Sequence, residues 1–475
     1  MKDLTIKEIV EATAGTLVSG VLSDTVRVLS TDSRNIPENC LFVPIVGERM
    51  DGHDFLLQTA EKGVKAVLTA RDEVPGFYTR AGAVEKYKDI AIIRVADTLT
   101  GLQAVGRLAR TKLAVPAIGV TGSVGKTTTR EMVSYALSGT KKVYKTDKNY
   151  NNKIGVPITL CEMTDDYDIA VLELGLNVRE ELGTISALAN IETAMITNIG
   201  VAHIEYYGTK DEICKEKFTV TRGFWPENPA PKMLFLNGDD ELLMKYKDLS
   251  GFPYTTYAVE NKQADYYAKD IEFTDGKTTF TLMKQGNALL QVTLTVLGRH
   301  NILNAVGAMA VADYYKVPLE KAAESLSTFR GFRHRLERFE KNGVLLIDDT
   351  YNASPASMKA GIDVLSDLVL SNPGGERIAV LGDMFELGDN SASYHREVGE
   401  YAATKPFDRL LLVGENARKI GEAYLENGGI AHVRYFDRNE ELLMVLKEHL
   451  NPGDVAYFKA SHGMHLSEVV EGLLS

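Results

Sequence analysis

Apolar and polar positions along this chain follow two periods, and the places where the period changes divide it into parts. Up to about Val95, short apolar runs (LFVPIVG, KAVLTA, IAIIRV) are separated by polar loops, which predicts a small mixed α/β unit. From Leu99 to Leu113 the apolar residues fall at helical spacing, and the strand-like AIGV and a glycine-rich turn follow. Beyond Ala117, as far as about Phe329, the runs DIAVLEL, TAMITNI and KMLFLN alternate with helical stretches, the pattern of a largely parallel sheet covered on both faces. A second alternation starts at Gly343 with VLLIDD, RIAVLGD, RLLLVG and DVAYFK, as in a doubly wound domain.

The expected fold is α/β with three domains. These are a small mixed α/β N-terminal domain (1–96), a central P-loop-type domain with a mostly parallel sheet (97–331), and a C-terminal Rossmann-like domain (332–475). A length of 475 residues agrees, because single cores stop growing well below that size.

Composition narrows the function. A formal charge of -12 repels nucleic acid and anionic lipid over most of the surface, while leaving room for a local phosphate pocket. Hydrophobic residues at 44% and charged residues at 25% are ordinary for a globular protein. Cys40, Cys161 and Cys214 are widely spaced and form no Cys-x-x-Cys, so neither a disulfide framework nor a cysteine metal site is expected, and a reducing cytoplasm fits. Charged residues interrupt the opening segment MKDLTIKEIVEATAG, and no stretch approaches the length of an apolar membrane span, so no membrane insertion is expected.

The chemistry is most legible in Gly119-Val-Thr-Gly-Ser-Val-Gly-Lys-Thr-Thr-Thr129, between a strand and a helix. Backbone amides of Gly122, Ser123, Val124 and Gly125 can surround phosphates, Lys126 adds a mobile charge, and Thr127, followed by Thr128, would face Mg2+. Val120 stands where the commonest form of this loop has glycine. Glu173 closes DIAVLEL and His203 follows TAMITNIGVA, so both sit near strand C-terminal ends, where α/β sheets bind ligands. Either residue alone is more often solvated or structural; beside a phosphate loop they become candidate Mg2+ ligands.

With these motifs in place, the chain resembles the Mur ligase family over nearly its whole length. TDSR (31–34) and GERMDGHDF (47–55) are similar to the family's uridine-nucleotide segments, which nominates Ser33, Arg34, Asp51, Gly52 and His53. NYNNKIGVP resembles its asparagine-rich substrate segment, with Asn149, Asn151 and Asn152. The spacing from TNIGVAHIEYYGT to KEK resembles the region where the family pairs a histidine with a carbamylated lysine, here His203 and Lys217. A carbamate forms on the neutral amine, so Lys217 should lie where burial or a nearby cation lowers its pKa. GRHNILNAVGA looks like the adenine-side helix start, with His300, Asn301 and Asn304, and Arg335 and Asp349 match positions that reach phosphate and ribose. DDTYNASPAS, with Tyr351 and Asn352, and LGDMFELGD resemble the branch of the family that adds a dipeptide.

The resemblance implies an ATP- and Mg2+-dependent amide ligase of peptidoglycan synthesis, and so of cell shape and division. It would join D-alanyl-D-alanine to UDP-N-acetylmuramoyl-tripeptide through an acyl phosphate. Lys126, Glu173, His203, Lys217 and Arg335 would be the catalytic set, and a monomer hinged near Ala96 and Phe332 is expected. The chain departs from the family pattern at Lys148 and Glu180 (glycine is common), Ser354 (asparagine), and Ala460 and His462 (glycine and arginine). These positions bear on the fit of the dipeptide, so a ligase with another amine acceptor is the alternative expectation, and an ATP-binding switch the non-enzymatic one.

Overall fold

The computed structural model describes residues 2–475 except Lys148, Asp275, Gly276 and Ser371. Three large sheets organise it. The first contains, in spatial order, Thr16–Ser19, Ala91–Arg94, Ala66–Thr69, Cys40–Phe42 and Val28–Ser30, with only the first pair antiparallel.

The second sheet has nine strands. Val143–Lys145, Ile169–Glu173, Ala117–Thr121, Thr193–Ile196, Met233–Asn237, Tyr254–Ala258 and Tyr266–Thr274 run parallel, and Lys277–Lys284 and Asn287–Leu294 extend the edge antiparallel. The central strands are buried along their whole length, as helices on both faces require. The antiparallel edge goes beyond the parallel sheet expected from the sequence. Its sequence (KTTFTLMK, NALLQVTL) alternates buried and open positions, which suits a ribbon with one wet face.

The third sheet opens with the antiparallel edge strand Glu337–Lys341, then runs parallel through Val344–Asp348, Val455–Lys459, Arg377–Gly382, Arg409–Val413 and His432–Phe436. Strands of the second and third sheets end at a common gap, and residues just beyond Thr121, Asp348 and Gly382, together with Glu173 and Lys459, line it.

The helix Thr98–Thr111 shows how the first sheet is fastened to the second. Its spacing makes it amphipathic, and Asp97 caps it by accepting from Thr100 N–H (2.7 Å). The apolar stripe Leu102, Val105 and Ala109 packs with Leu68 and Ile93 of the first sheet. At its far end Arg110, 1% exposed, donates to four carbonyls: Ala189 (2.7 Å), Val115 (2.8 Å), Asn190 (2.9 Å) and Leu113 (3.1 Å). Ala189 ends the helix Glu181–Ala189, where carbonyls lack intrahelical partners and the dipole favours a cation. Replacing Arg110 with Met leaves these buried acceptors without a donor. Denaturant unfolding is expected to show a loss of about 3 kcal/mol, and an unchanged midpoint would refute the fastening role.

Candidate active site

The glycine-rich turn leaves strand Ala117–Thr121 and enters helix Lys126–Ser138. Gly122 (φ +150°) and Gly125 (φ +81°) make that path possible, and a Cβ on Gly122 would lie 1.9 Å from Thr197 Oγ1. The neighbouring strand's exit holds the loop. Ser123 N–H donates to Asn198 O (3.0 Å) and Val124 N–H to Asn198 Oδ1 (2.9 Å), while Thr197 Oγ1 (2.6 Å) and Asn198 Nδ2 (2.9 Å) donate to Val124 O. The first-turn amides of the helix, which have no intrahelical acceptor, thus face a cavity of about 380 Å³ between the second and third sheets. Lys126 Nζ folds back on Gly122 O (2.9 Å) and Ser123 O (3.3 Å), and burial and nearby Arg335 lower its pKa against the pull of Glu173.

Glu173, 2% exposed, ends its strand on the same cavity. Asn151 Nδ2 donates to its Oε1 (2.7 Å) and Arg130 Nη1 to its Oε2 (3.2 Å). Arg130 also meets Glu131 (2.7 Å), which pairs with Lys145. Sequence reasoning missed Arg130, although its place one helical turn after Lys126 puts both side chains on one face.

His203 is held at φ +63°, with Nδ1 3.8 Å from Glu386 Oε2 of the third-sheet loop. Burial, helped by the Lys126 charge, brings its pKa down to about 4, so the ring is neutral and keeps a lone pair for a metal. Lys217, on helix Lys210–Phe218, is 2% exposed, and no hydrogen bond or ion pair engages it among the described residues. Burial first and Lys126 second lower its pKa well below the ordinary lysine value. Lys215, two residues earlier, is exposed and paired with Glu212 (2.7 Å). Thr127 and Glu173, which line the cavity, offer oxygens, and His203 and Lys217, which are not part of its lining, offer an imidazole and an amine, a donor set that suits a hard divalent cation once the amine carries a carboxyl group.

From the third sheet, Arg335 Nη2 reaches Thr127 Oγ1 (3.4 Å), and its guanidinium lies 4.0 Å over the Tyr351 ring. The turn that carries it is tight: His334 has φ +60° and Leu336 φ +52°. His334 N–H donates to Glu337 Oε2 (3.0 Å), and its Nδ1 meets Asp348 Oδ2 at 2.7 Å. Among the described residues this trio is the one cluster of three possible metal-ligand side chains, and its hydrogen bonds serve to hold the Arg335 turn. Asp349, Tyr351 and Asn352 line the cavity, as do His300, Asn301 and Asn304 from helix Arg299–Tyr314. Asn304 Oδ1 accepts from Thr129 Oγ1 (3.0 Å) and Asn301 Nδ2 donates to Leu297 O (2.7 Å), so both also brace the helix against its neighbours. Burial lowers the His300 pKa.

Other expected residues sit elsewhere. Asn149 lines the cavity, but Asn152 Oδ1 accepts from Ile154 N–H (3.0 Å) and Gly155 N–H (2.9 Å) at the entry to helix Gly155–Glu162. Ser33, Arg34, Asp51, Gly52 and His53 belong to the first sheet's loops, outside this cavity. His53 is 2% exposed with both ring nitrogens engaged, by Asp51 Oδ1 (2.6 Å) and Ala70 N–H (3.0 Å), so it shapes its own turn, whereas the Arg34 side chain is open and among the described residues pairs with Asp32 alone.

Lys148 lies outside the described residues. The other departures have local accounts. Glu180 has φ +62°, the left-handed region that favours glycine. Ser354 caps helix Pro355–Asp367 as well as asparagine would. Ala460 is buried against Gly382, and the His462 ring lies 6.1 Å from that of Tyr351.

Known proteins share this architecture. The Mur ligase middle domain matches residues 120–312, the Mur ligase glutamate ligase domain residues 334–462, and the Mur ligase family catalytic domain residues 25–112. The UDP-N-acetylmuramoyl-tripeptide--D-alanyl-D-alanine ligase of Bacillus subtilis (strain 168) is 36% identical over 472 residues, 99% of this chain and 98% of that protein. Its namesake from Synechocystis is 33% identical over 96% of this chain and 94% of its own. Among solved structures, MurF from Acinetobacter baumannii superposes with a TM-score of 0.88 at 29% identity, covering 100% and 99% of the two chains. The MurF ligase from Thermotoga maritima in complex with ADP gives 0.80 at 25% identity, covering 94% and 97%.

The loop geometry makes a sharp prediction. Gly122→Ala forces Thr197 away and with it the hydroxyl that holds Val124 O. Calorimetric titration with ADP should show at least about tenfold weaker binding, the scale of one lost charge-assisted contact, while undiminished affinity would mean the loop does not grip phosphate.

Proposed function

The chain belongs to the Mur ligase family, and we propose that it joins D-alanyl-D-alanine to the terminal carboxylate of UDP-N-acetylmuramoyl-tripeptide, converting ATP to ADP and phosphate. The observation that carries this reading is the meeting of Lys126 from the second sheet and Arg335 from the third in one cavity, in a chain that matches ligases of this name end to end.

A carboxylate is a poor electrophile and its oxygen a poor leaving group, so direct attack by an amine fails. In the proposed reaction a carboxylate oxygen of the tripeptide bonds to the γ-phosphorus as the bond to the bridging β–γ oxygen breaks, and ADP leaves. The neutral amine of the dipeptide then adds to the acyl carbon, and phosphate departs carrying that carboxylate oxygen and the proton the nitrogen gives up. The chain's task is placement and charge neutralisation. Loop amides and Lys126 hold the β- and γ-phosphates, and Arg335, stacked on Tyr351, meets the transferring phosphoryl group. Asp349 receives the ribose, and the apolar end of the cavity near Val296, Phe329 and Phe332 takes the base. Mg2+ neutralises phosphate charge when bound; Thr127, Glu173, His203 and a carbamylated Lys217 would hold it. The amine of Lys217, buried and without a hydrogen-bond or ion-pair partner among the described residues, favours that modification, since a neutral amine adds CO2 to give a carbamate and a proton.

The first unit (1–96) would hold the uridine nucleotide and the third (332–475) the dipeptide, with the third swinging about the Phe332 turn. Among the described residues no helix is long and apolar enough to cross a membrane. Three buried, unpaired cysteines favour a cytoplasmic setting.

A coupled assay tests the reaction: ADP release should require tripeptide and D-alanyl-D-alanine together, and release with another amine alone would assign a different acceptor. Lys126→Ala should lower turnover about two to three orders of magnitude, as for loss of one preorganised electrostatic contact; near-normal turnover contradicts the role. With 13C-labelled bicarbonate, 13C NMR should show a carbamate resonance that Lys217→Met abolishes, and a resonance surviving that change would place the modification elsewhere.

A further inference from the structure

Lys459 has no part in the reading above, yet it is among the most completely engaged cations in the chain. It is 3% exposed, ends strand Val455–Lys459 and lines the cavity. Its Nζ donates to Asp349 Oδ2 (2.6 Å), Asn352 O (3.0 Å) and Asp349 O (3.2 Å). Two residues earlier on the same strand face, the Tyr457 hydroxyl donates to the same Oδ2 at 2.8 Å.

The surrounding elements make room for this arrangement. Val344–Asp348 pairs parallel with Val455–Lys459, Ile347 opposite Tyr457, and the ladder continues with Asp349 N–H donating to Phe458 O (2.9 Å). Helix Pro355–Asp367 crosses above and presents Gly361, where a Cβ would lie 1.6 Å from the Tyr457 hydroxyl. Only a glycine lets that hydroxyl reach Asp349.

The consequence is an asymmetric carboxylate. Oδ2 of Asp349 is saturated from below by two donors, while Oδ1 has no hydrogen-bond partner among the described residues. The same ammonium ties Asn352 O, closing the turn that carries Tyr351, on which Arg335 stacks. A buried ion pair is seldom kept for stability, because apolar replacements of similar volume are often as stable. We propose that Lys459 and Tyr457 are positioning residues for the ATP site, leaving one Asp349 oxygen for the nucleotide and keeping the Tyr351 platform beneath Arg335. This rests on the assignment above of Asp349 and Arg335 to ATP.

The test uses the full chain and the isosteric or near-isosteric variants Lys459→Met and Tyr457→Phe, with ADP binding by calorimetry and all three substrates varied in turn. Lys459→Met should raise the ATP KM and the ADP dissociation constant about tenfold or more, and Tyr457→Phe about threefold, with the tripeptide KM within about twofold of the parent. Gly361→Ala should follow Tyr457→Phe. Folded variants with unchanged nucleotide affinity, or an equal rise in every KM, overturn the proposal; should Lys459→Met fail to fold, Tyr457→Phe decides alone. If the parent binds ADP but ligates no dipeptide, the assigned reaction fails, while the ADP titrations still judge the positioning claim.

Discussion

Two cations from different sheets share one cavity with little to offset them. Arg335 reaches the hydroxyl of Thr127, the residue after Lys126, and the proximity of its charge helps to lower the lysine's pKa. The nearby carboxylates are already committed, Glu173 to Arg130 and Asn151, Asp349 to Lys459 and Tyr457. At a third cation centre, Lys217, burial and the charge of Lys126 hold the pKa well below the ordinary lysine value. Like charges this close are costly unless an anion enters between them. A polyphosphate is such an anion.

Legibility in the sequence followed locality. The phosphate loop could be read because its glycines, lysine and threonines are contiguous, and their chemistry depends on the strand and helix that flank them. Glu173 and His203 could be nominated from strand ends. The sequence could not say which partners each side chain would meet. Arg130 is 43 residues from Glu173 and Lys459 is 110 from Asp349, and only tertiary packing joins such pairs. Periodicity gave Lys215 and Lys217 equal standing; burial separated them. The helix Thr98–Thr111 had a readable apolar stripe, but a stripe does not name the sheet it will cover. The antiparallel edge of the second sheet escaped notice because short apolar runs look alike in parallel and antiparallel settings.

The departures from the family pattern show how a fold absorbs substitutions. Glu180 occupies a left-handed position where glycine is easier, and its neighbour Glu181 anchors the adjoining backbone through Asn177 N–H (2.9 Å) and Lys153 N–H (3.2 Å). Ser354 replaces one good helix cap by another. His462 stays near Tyr351, with the two ring centroids 6.1 Å apart.

The central claim is that the cavity hands a phosphoryl group to a carboxylate before any amide forms. Isotope transfer tests it most directly. With 18O in the terminal carboxylate of the tripeptide, the phosphate released during ligation should carry one 18O atom, detected by mass spectrometry or by the 31P shift. Phosphate free of 18O, formed while the amide product accumulates, would contradict the account.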